Sequence, residues 1–185
     1  MKKIMMFSVL LLAGTAGVAS YPVLADYTVA VSLEDAAKTL NHLVERAIDG
    51  QKGFEEAAEH VAPGQLKDEF ISKSSQRAKF AAELKNKVRE MGREAEDEGT
   101  VAGIAHRAWI DVKTAVTPNE SDNKAVLEAV RAGEEKALAD YRDALKKELP
   151  KDVYSLVQKQ REEIESSYQW ADKRLKEEEA KKSQS

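Results

Sequence analysis

The stretch "AIDGQKGFEEAAEHV", Ala47 to Val61, has the composition of a helix and two residues that a helix avoids. Gly50 and Gly53 sit three apart, each costing about 1 kcal/mol relative to alanine in a helix interior. Gln51 stands between them. The apolar positions decide the reading. Leu33, Ala37, Leu40, Val44, Ala47, Gln51, Phe54, Ala58 and Val61 follow one another in steps of four and three without a break. That is the stripe of a bundle helix, and it puts a polar residue at a core position. The first helix is predicted from Leu33 to Val61, with Ser32 and Asp35 resembling a capping box. Pro63-Gly64 ends it in a short turn, so the next helix must return antiparallel.

Working outward, a second helix is predicted over 65–91, with Leu66, Phe70, Lys73 or Ser74, Arg77, Phe80, Leu84, Val88 and Met91 as its stripe. A polar loop follows, then a short helix over 100–116 with Val101, Ile104, Ala108 and Val112 on one side. A third long helix spans 123–149, with Leu127, Val130, Glu134, Ala137, Tyr141 and Ala144 in register. Pro150 suits the first turn of a fourth, which runs to Leu175 through Val153, Val157, Gln160, Ile164, Ser167 and Ala171. No hairpin-like alternation occurs, so the fold class is all-α. Four long helices joined short, long, short form a ferritin-like bundle. Its long crossover, over 92–122, returns the chain to its starting end and makes the second and third long helices parallel.

The ends lie outside that bundle. "MKK" followed by an apolar run and Val23-Leu24-Ala25 reads as a signal peptide over residues 1–25, cleaved after Ala25, with Ala19 as a second candidate. Residues 26–31 read as a linker, 32–176 as the bundle and 177–185 as a charged disordered tail. Cleavage removes Lys2 and Lys3 and no acid, lowering the formal charge of −4 by two. An exported, periplasmic or secreted domain is expected, with no membrane association after cleavage. Basic and acidic residues interleave without a basic patch, which argues against nucleic acid. The chain has no cysteine, excluding disulfides, thiol catalysis and a lipoprotein anchor.

Depth along the helices brings the polar interruptions together. Gln51 lies ten residues before the end of its helix, and Arg77 and Glu134 lie about twelve and eleven after the start of theirs. At 1.5 Å per residue the three levels agree within about 3 Å. Gln51, Arg77 and Glu134 are therefore expected to point inward in one mid-bundle layer, in contact directly or through water, with Gly50, Gly53 and Gly133 giving room around it. A ferritin-like bundle places a di-iron or di-manganese site there, built from two glutamates and two Glu-x-x-His motifs. No Glu-x-x-His exists in this chain: Thr39, Ala57 and Gly103 stand three residues before His42, His60 and His106. His42 and His60 fall on the opposite face from the stripe and are expected to be exposed. Glu56 and His60 are spaced to clip a surface metal, but a solvated helix end explains them as well. No nucleophile elbow or phosphate loop is present. No catalytic, cofactor-binding or metal-ligating residue is assigned, and iron or manganese is disfavoured. Tyr154, Tyr168 and Trp170 offer a weak apolar rim for self-association.

Four stretches, "LNHLVERAIDGQKGFEEAAE", "RAKFAAELKNKVREMG", "GTVAGIAHRAWIDVK" and "AVLEAVRAGEEKALADYRDAL", together resemble a bacterial ferritin-like four-helix-bundle family known as a domain of unknown function, whose relatives include stress-associated proteins. The resemblance covers about Leu33 to Leu175. Its most specific piece is His106, Arg107, Trp109, Asp111 and Lys113 on the crossover, supported by Gly133-Glu134 and Tyr141-Arg142. It implies a fold and no established activity. Family members often carry Glu where this chain has Gln51, so the resemblance further disfavours metal here. The expected function is that of an exported, non-enzymatic bundle in stress or envelope physiology, acting through an unknown protein partner or self-association. A metal-binding redox protein and a module for an amphipathic partner helix are the alternatives.

Overall fold

The structure, a computed structural model, describes residues 23–100 and 123–182, which contain four helices and no strand. They are α1 (Val23–Glu59), α2 (Gln65–Glu90), α3 (Asn123–Ala144) and α4 (Lys151–Lys182). Three boundaries differ from expectation. First, α1 is already helical from Val23, through the expected linker and past the Ser32–Asp35 box. No glycine or proline lies between Val23 and Leu33 to stop it. Second, α3 stops at Ala144 rather than Leu149. Pro150 disfavours a helical Leu149, and the chain needs those residues to turn. Third, α4 runs through Lys182, so residues 177–182, expected as a disordered tail, continue the helix. Their glutamates and lysines are good helix formers and pair along it, as Lys181 does with Glu178.

The end of α2 shows how locally such boundaries are set. Gly92 adopts φ 69°. Its N–H reaches Arg89 O, and that of Arg93 reaches Val88 O. This is a Schellman motif, and the left-handed residue is a glycine because a β-carbon is costly there.

Cross-helix contacts establish the topology. Along α2 and α4, Glu69 pairs with Arg174, Lys73 with Ser167, Gln76 with Glu163 and Lys87 with Asp152. The rising and falling numbers make these helices antiparallel. Arg46 on α1 meets Asp140 on α3, while Phe54 and Ala58 share a cluster with Val126 and Val130, so α1 and α3 are also antiparallel. With short turns after α1 and α3, α2 and α3 therefore run parallel across the bundle diagonal, as the crossover length requires. The start of the crossover runs back along α1. Asn41 donates to Glu94 O and accepts from Glu96 N, and Thr100 donates to the Asp49 carboxylate. The short helix expected over 100–116 lies, beyond Thr100, outside the described residues.

The apolar core has two parts. One gathers Leu40, Leu43, Val44, Phe80, Leu84, Tyr141, Val157 and Ile164. The other gathers Phe54, Ala57, Phe70, Val126, Leu127, Ala171 and Leu175. Between them stands a polar layer.

Candidate functional site

Arg77 is only 2% exposed and Glu134 only 3%. They meet across the α2/α3 diagonal, with Arg77 Nη2 donating to Glu134 Oε2. Arg77 Nη1 donates to Gln76 Oε1 at 2.8 Å. The guanidinium also lies against two rings, 5.5 Å from the centre of Phe54 and 5.1 Å from that of Phe80. Each contact offsets part of the cost of burying a charge. Burial pushes the Glu134 carboxyl up, and the Arg77 charge and hydrogen bond pull it down. Burial is the larger of the two.

Gln51 does not join them. It is half-buried and donates to Glu55, whose carboxylate also accepts from Ser74 Oγ. The expected contact is corrected by a rotation. One residue turns a helix by about 100°. The residue of α1 that faces Arg77 is Gly50, and Gln51 is swung to the α1/α2 seam. A β-carbon at Gly50 would lie 3.3 Å from Arg77 Cδ. The glycine is what lets the arginine stem lie flat against α1. α1 packs against both α2 and α3 and so buries a face wider than one stripe, including Ala36, Leu43, Ile48 and Ala57.

Two further polar groups flank the pair, one on each side. Toward the C-terminal end of α2, Tyr141 donates to Gln160 Oε1 at 2.8 Å, and Gln160 Nε2 donates to Glu83 at 2.9 Å. Burial pushes the Tyr141 phenol up. Toward the other end, Lys73 donates to Ser167 Oγ at 3.1 Å and lies 4.4 Å from the centre of the Trp170 ring. Its burial holds the ammonium below the ordinary lysine value. Trp170 packs edge-on against Phe70, so it is no rim. Gln160 and Ser167 lay on the stripe of their helix, and that position was the signal for them.

On the α1/α3 side the layer opens into a cleft of about 100 Å³. Gly50, Gly53, Ala129 and Gly133 keep its walls low, and Arg77, Glu134 and Tyr141 reach it from inside. The sequence reading missed the charged groups at its edge, Arg46, Asp49 and Lys136. Arg46 Nε donates to Asp140, and Nη1 stands 3.6 Å from Asp49. Asp49 is adjacent to Gly50 but off the stripe, so periodicity did not mark it.

His42 is exposed, near Glu45 and Asp140. His60 is half-buried rather than exposed, 3.2 Å from Glu56. The helix ends at Glu59, but the His60 N–H still reaches Glu56 O, so His60 extends the last turn with its ring beside the Glu56 carboxylate. Among the described residues no group of three histidines or acids could hold a metal ion. His106, Arg107, Trp109, Asp111 and Lys113 lie outside the described residues.

The family described as "Domain of unknown function (DUF2383)" matches residues 35–147. The chain belongs to that family. A solved structure of a Mycobacterium smegmatis Dps1 mutant is similar, with a TM-score of 0.63 over 78% of this chain and 97% of that one. At 14% identity this likeness shows the fold alone, and the fold is the ferritin-like bundle. No curated protein matches.

A di-metal centre is what such a bundle implies at mid-depth. Here that depth holds Gly50, Arg77, Glu134 and Ile164 from the four helices in turn. The carboxylate among these four is already bound by a guanidinium, and a metal cation beside that charge would be repelled. The residues of this DUF2383 layer do not fit the centre.

Proposed function

We propose that this DUF2383 protein is an exported bundle that acts by binding rather than by catalysis, in stress or envelope physiology, without a mid-bundle metal. One observation carries the reading: Arg77 stands in the layer where a ferritin-like bundle would gather metal ligands, and it takes up the buried carboxylate of Glu134 there. A buried ion pair flanked by phenylalanines suits a structural role, not redox chemistry. The N-terminal "MKK" and its apolar run support export. No helix among the described residues is long and apolar enough to cross a membrane. The protein contacts behind such a role are unassigned to a surface. The exposed large apolar residues among those described are Ile71 and Tyr154. The α2/α4 pairing sets them roughly 20 Å apart along the axis. They make no common groove for a partner helix.

The test is metal analysis of protein recovered from the envelope or medium of its own cells, with its N-terminus sequenced. A sub-stoichiometric content of iron and manganese and a start at Asp26 or Ser20 are expected. One or more equivalents of either metal would overturn the first part, and an intact Met1 the second.

A further inference from the structure

The seam between α2 and α4 is closed by polar links. Glu69 holds Arg174 at 2.7 Å, and Gln76 donates to Glu163 at 2.8 Å. Lys73 stands between these two links. Its ammonium donates to the Ser167 hydroxyl at 3.1 Å and lies 4.4 Å from the centre of the Trp170 ring. Among the described residues no carboxylate oxygen comes within 4.0 Å of it. Ser167 is buried, while Lys73 keeps part of its surface in water. A hydroxyl and a ring face are all that hold the ammonium, so rotation of its flexible stem presents it to solvent. The described ends of the crossover lie on the other side of the bundle, where Thr100 is tied to Asp49 of α1 and α3 begins at Asn123.

The geometry points to Lys73 as a covalent capture site for small aldehydes, its amine forming an imine in the seam between α2 and α4. A lysine becomes a nucleophile when it is desolvated or set beside another cation, and Lys73 has both, with Arg77 one turn further along α2. Burial lowers its proton affinity and Arg77 adds to that, against the opposing pull of Glu134 and Glu69. The nitrogen lone pair attacks the carbonyl carbon, the N–C bond forms, and a proton passes from nitrogen to oxygen. The resulting carbinolamine loses water and leaves a C=N bond, with no oxidant or reductant needed. The Ser167 hydroxyl accepts from the ammonium and can turn to donate to the imine nitrogen, so the nitrogen keeps its partner through the change. The imine carries no charge, which removes the cost of holding an ammonium here without a carboxylate. An anionic ligand would have to enter between Glu69 and Glu163, and an uncharged aldehyde meets no such repulsion.

The probe is propanal, with cyanoborohydride added to reduce each imine to a stable secondary amine. The full folded chain is treated at pH 7 to low conversion, and labelled peptides are quantified by mass spectrometry. Lys159, exposed on α4, is the internal reference. Lys73 is expected to be labelled about tenfold faster than Lys159, with its rise in rate displaced to lower pH. In urea the two should react alike. Ser167→Asp sets a carboxylate against the ammonium and should bring Lys73 down to the Lys159 rate in a variant whose circular dichroism is that of the wild type. Equal or slower labelling of Lys73 in the folded wild type would overturn the proposal. So would an advantage that persists in urea, or one that survives in folded Ser167→Asp.

Discussion

Gly50 and Arg77 lie face to face, with room for a hydrogen at Gly50 and little room for a methyl group. A β-carbon there would stand 3.3 Å from Arg77 Cδ and 3.4 Å from Cγ. The arginine is held by Gln76, Glu134 and two phenylalanines, so it cannot easily withdraw. Gly50→Ala should be close to neutral, because about 1 kcal/mol of helix propensity is offset by the tight contact. Gly50→Val should destabilise by about 2 kcal/mol through overpacking. Gly133→Ala, facing open space, should stabilise by roughly 0.5–1 kcal/mol. Urea denaturation of the three variants measures these differences, and a stabilising Gly50→Val would refute the contact.

Arg77→Met should destabilise by about 3 kcal/mol, because Glu134 is left buried without its partner. Adding Glu134→Leu removes the stranded carboxylate and should recover much of the loss. A double variant no more stable than the worse single one would show that the two side chains do not act as a pair.

The same variants have a pH signature. Burial raises Glu134 above its ordinary 4.5, while Arg77 and Lys73 pull it down. The folded state therefore holds that proton more tightly than the unfolded chain. Its contribution to stability is full below the unfolded value and is lost as pH rises through the folded one. Removing Arg77 takes away the larger of the two lowering charges and moves the folded value further up. Arg77→Met should thus be more stable at pH 5 than at pH 8, with a steeper dependence than the wild type. Arg77→Met with Glu134→Leu should lose that extra slope. Urea midpoints across this range give the comparison.

Gly99 fastens the crossover to α1. A β-carbon there would lie 2.5 Å from Asp49 Oδ1 and 3.0 Å from Ile48 Cγ2. Gly99→Ala should cost about 1–3 kcal/mol, since Asp49 is also held by Arg46 and Thr100 and cannot simply turn away. Asp49→Ala should relieve the clash, so the double variant should be less destabilised than the two losses added together. Strict additivity in thermal melts would argue against the contact.

The amino-acid sequence by itself determined the number of long helices and their directions. Steps of four and three mark a buried stripe wherever a helix packs, and a thirty-residue connection can only be a crossover. It also determined that Arg77 and Glu134 share a depth, because the rise per residue is constant. What only the tertiary structure decided is rotation. Gly50 and Gln51 are neighbours in sequence and about 100° apart around the helix, and the packing of α1 between α2 and α3 chose which of them faces Arg77. Leu43, Ile48 and Asp49 were hidden from the stripe for the same reason: two partners bury two faces. Helix ends escaped as well at Val23 and Lys182, where no breaker residue marks a stop and propagation is favourable.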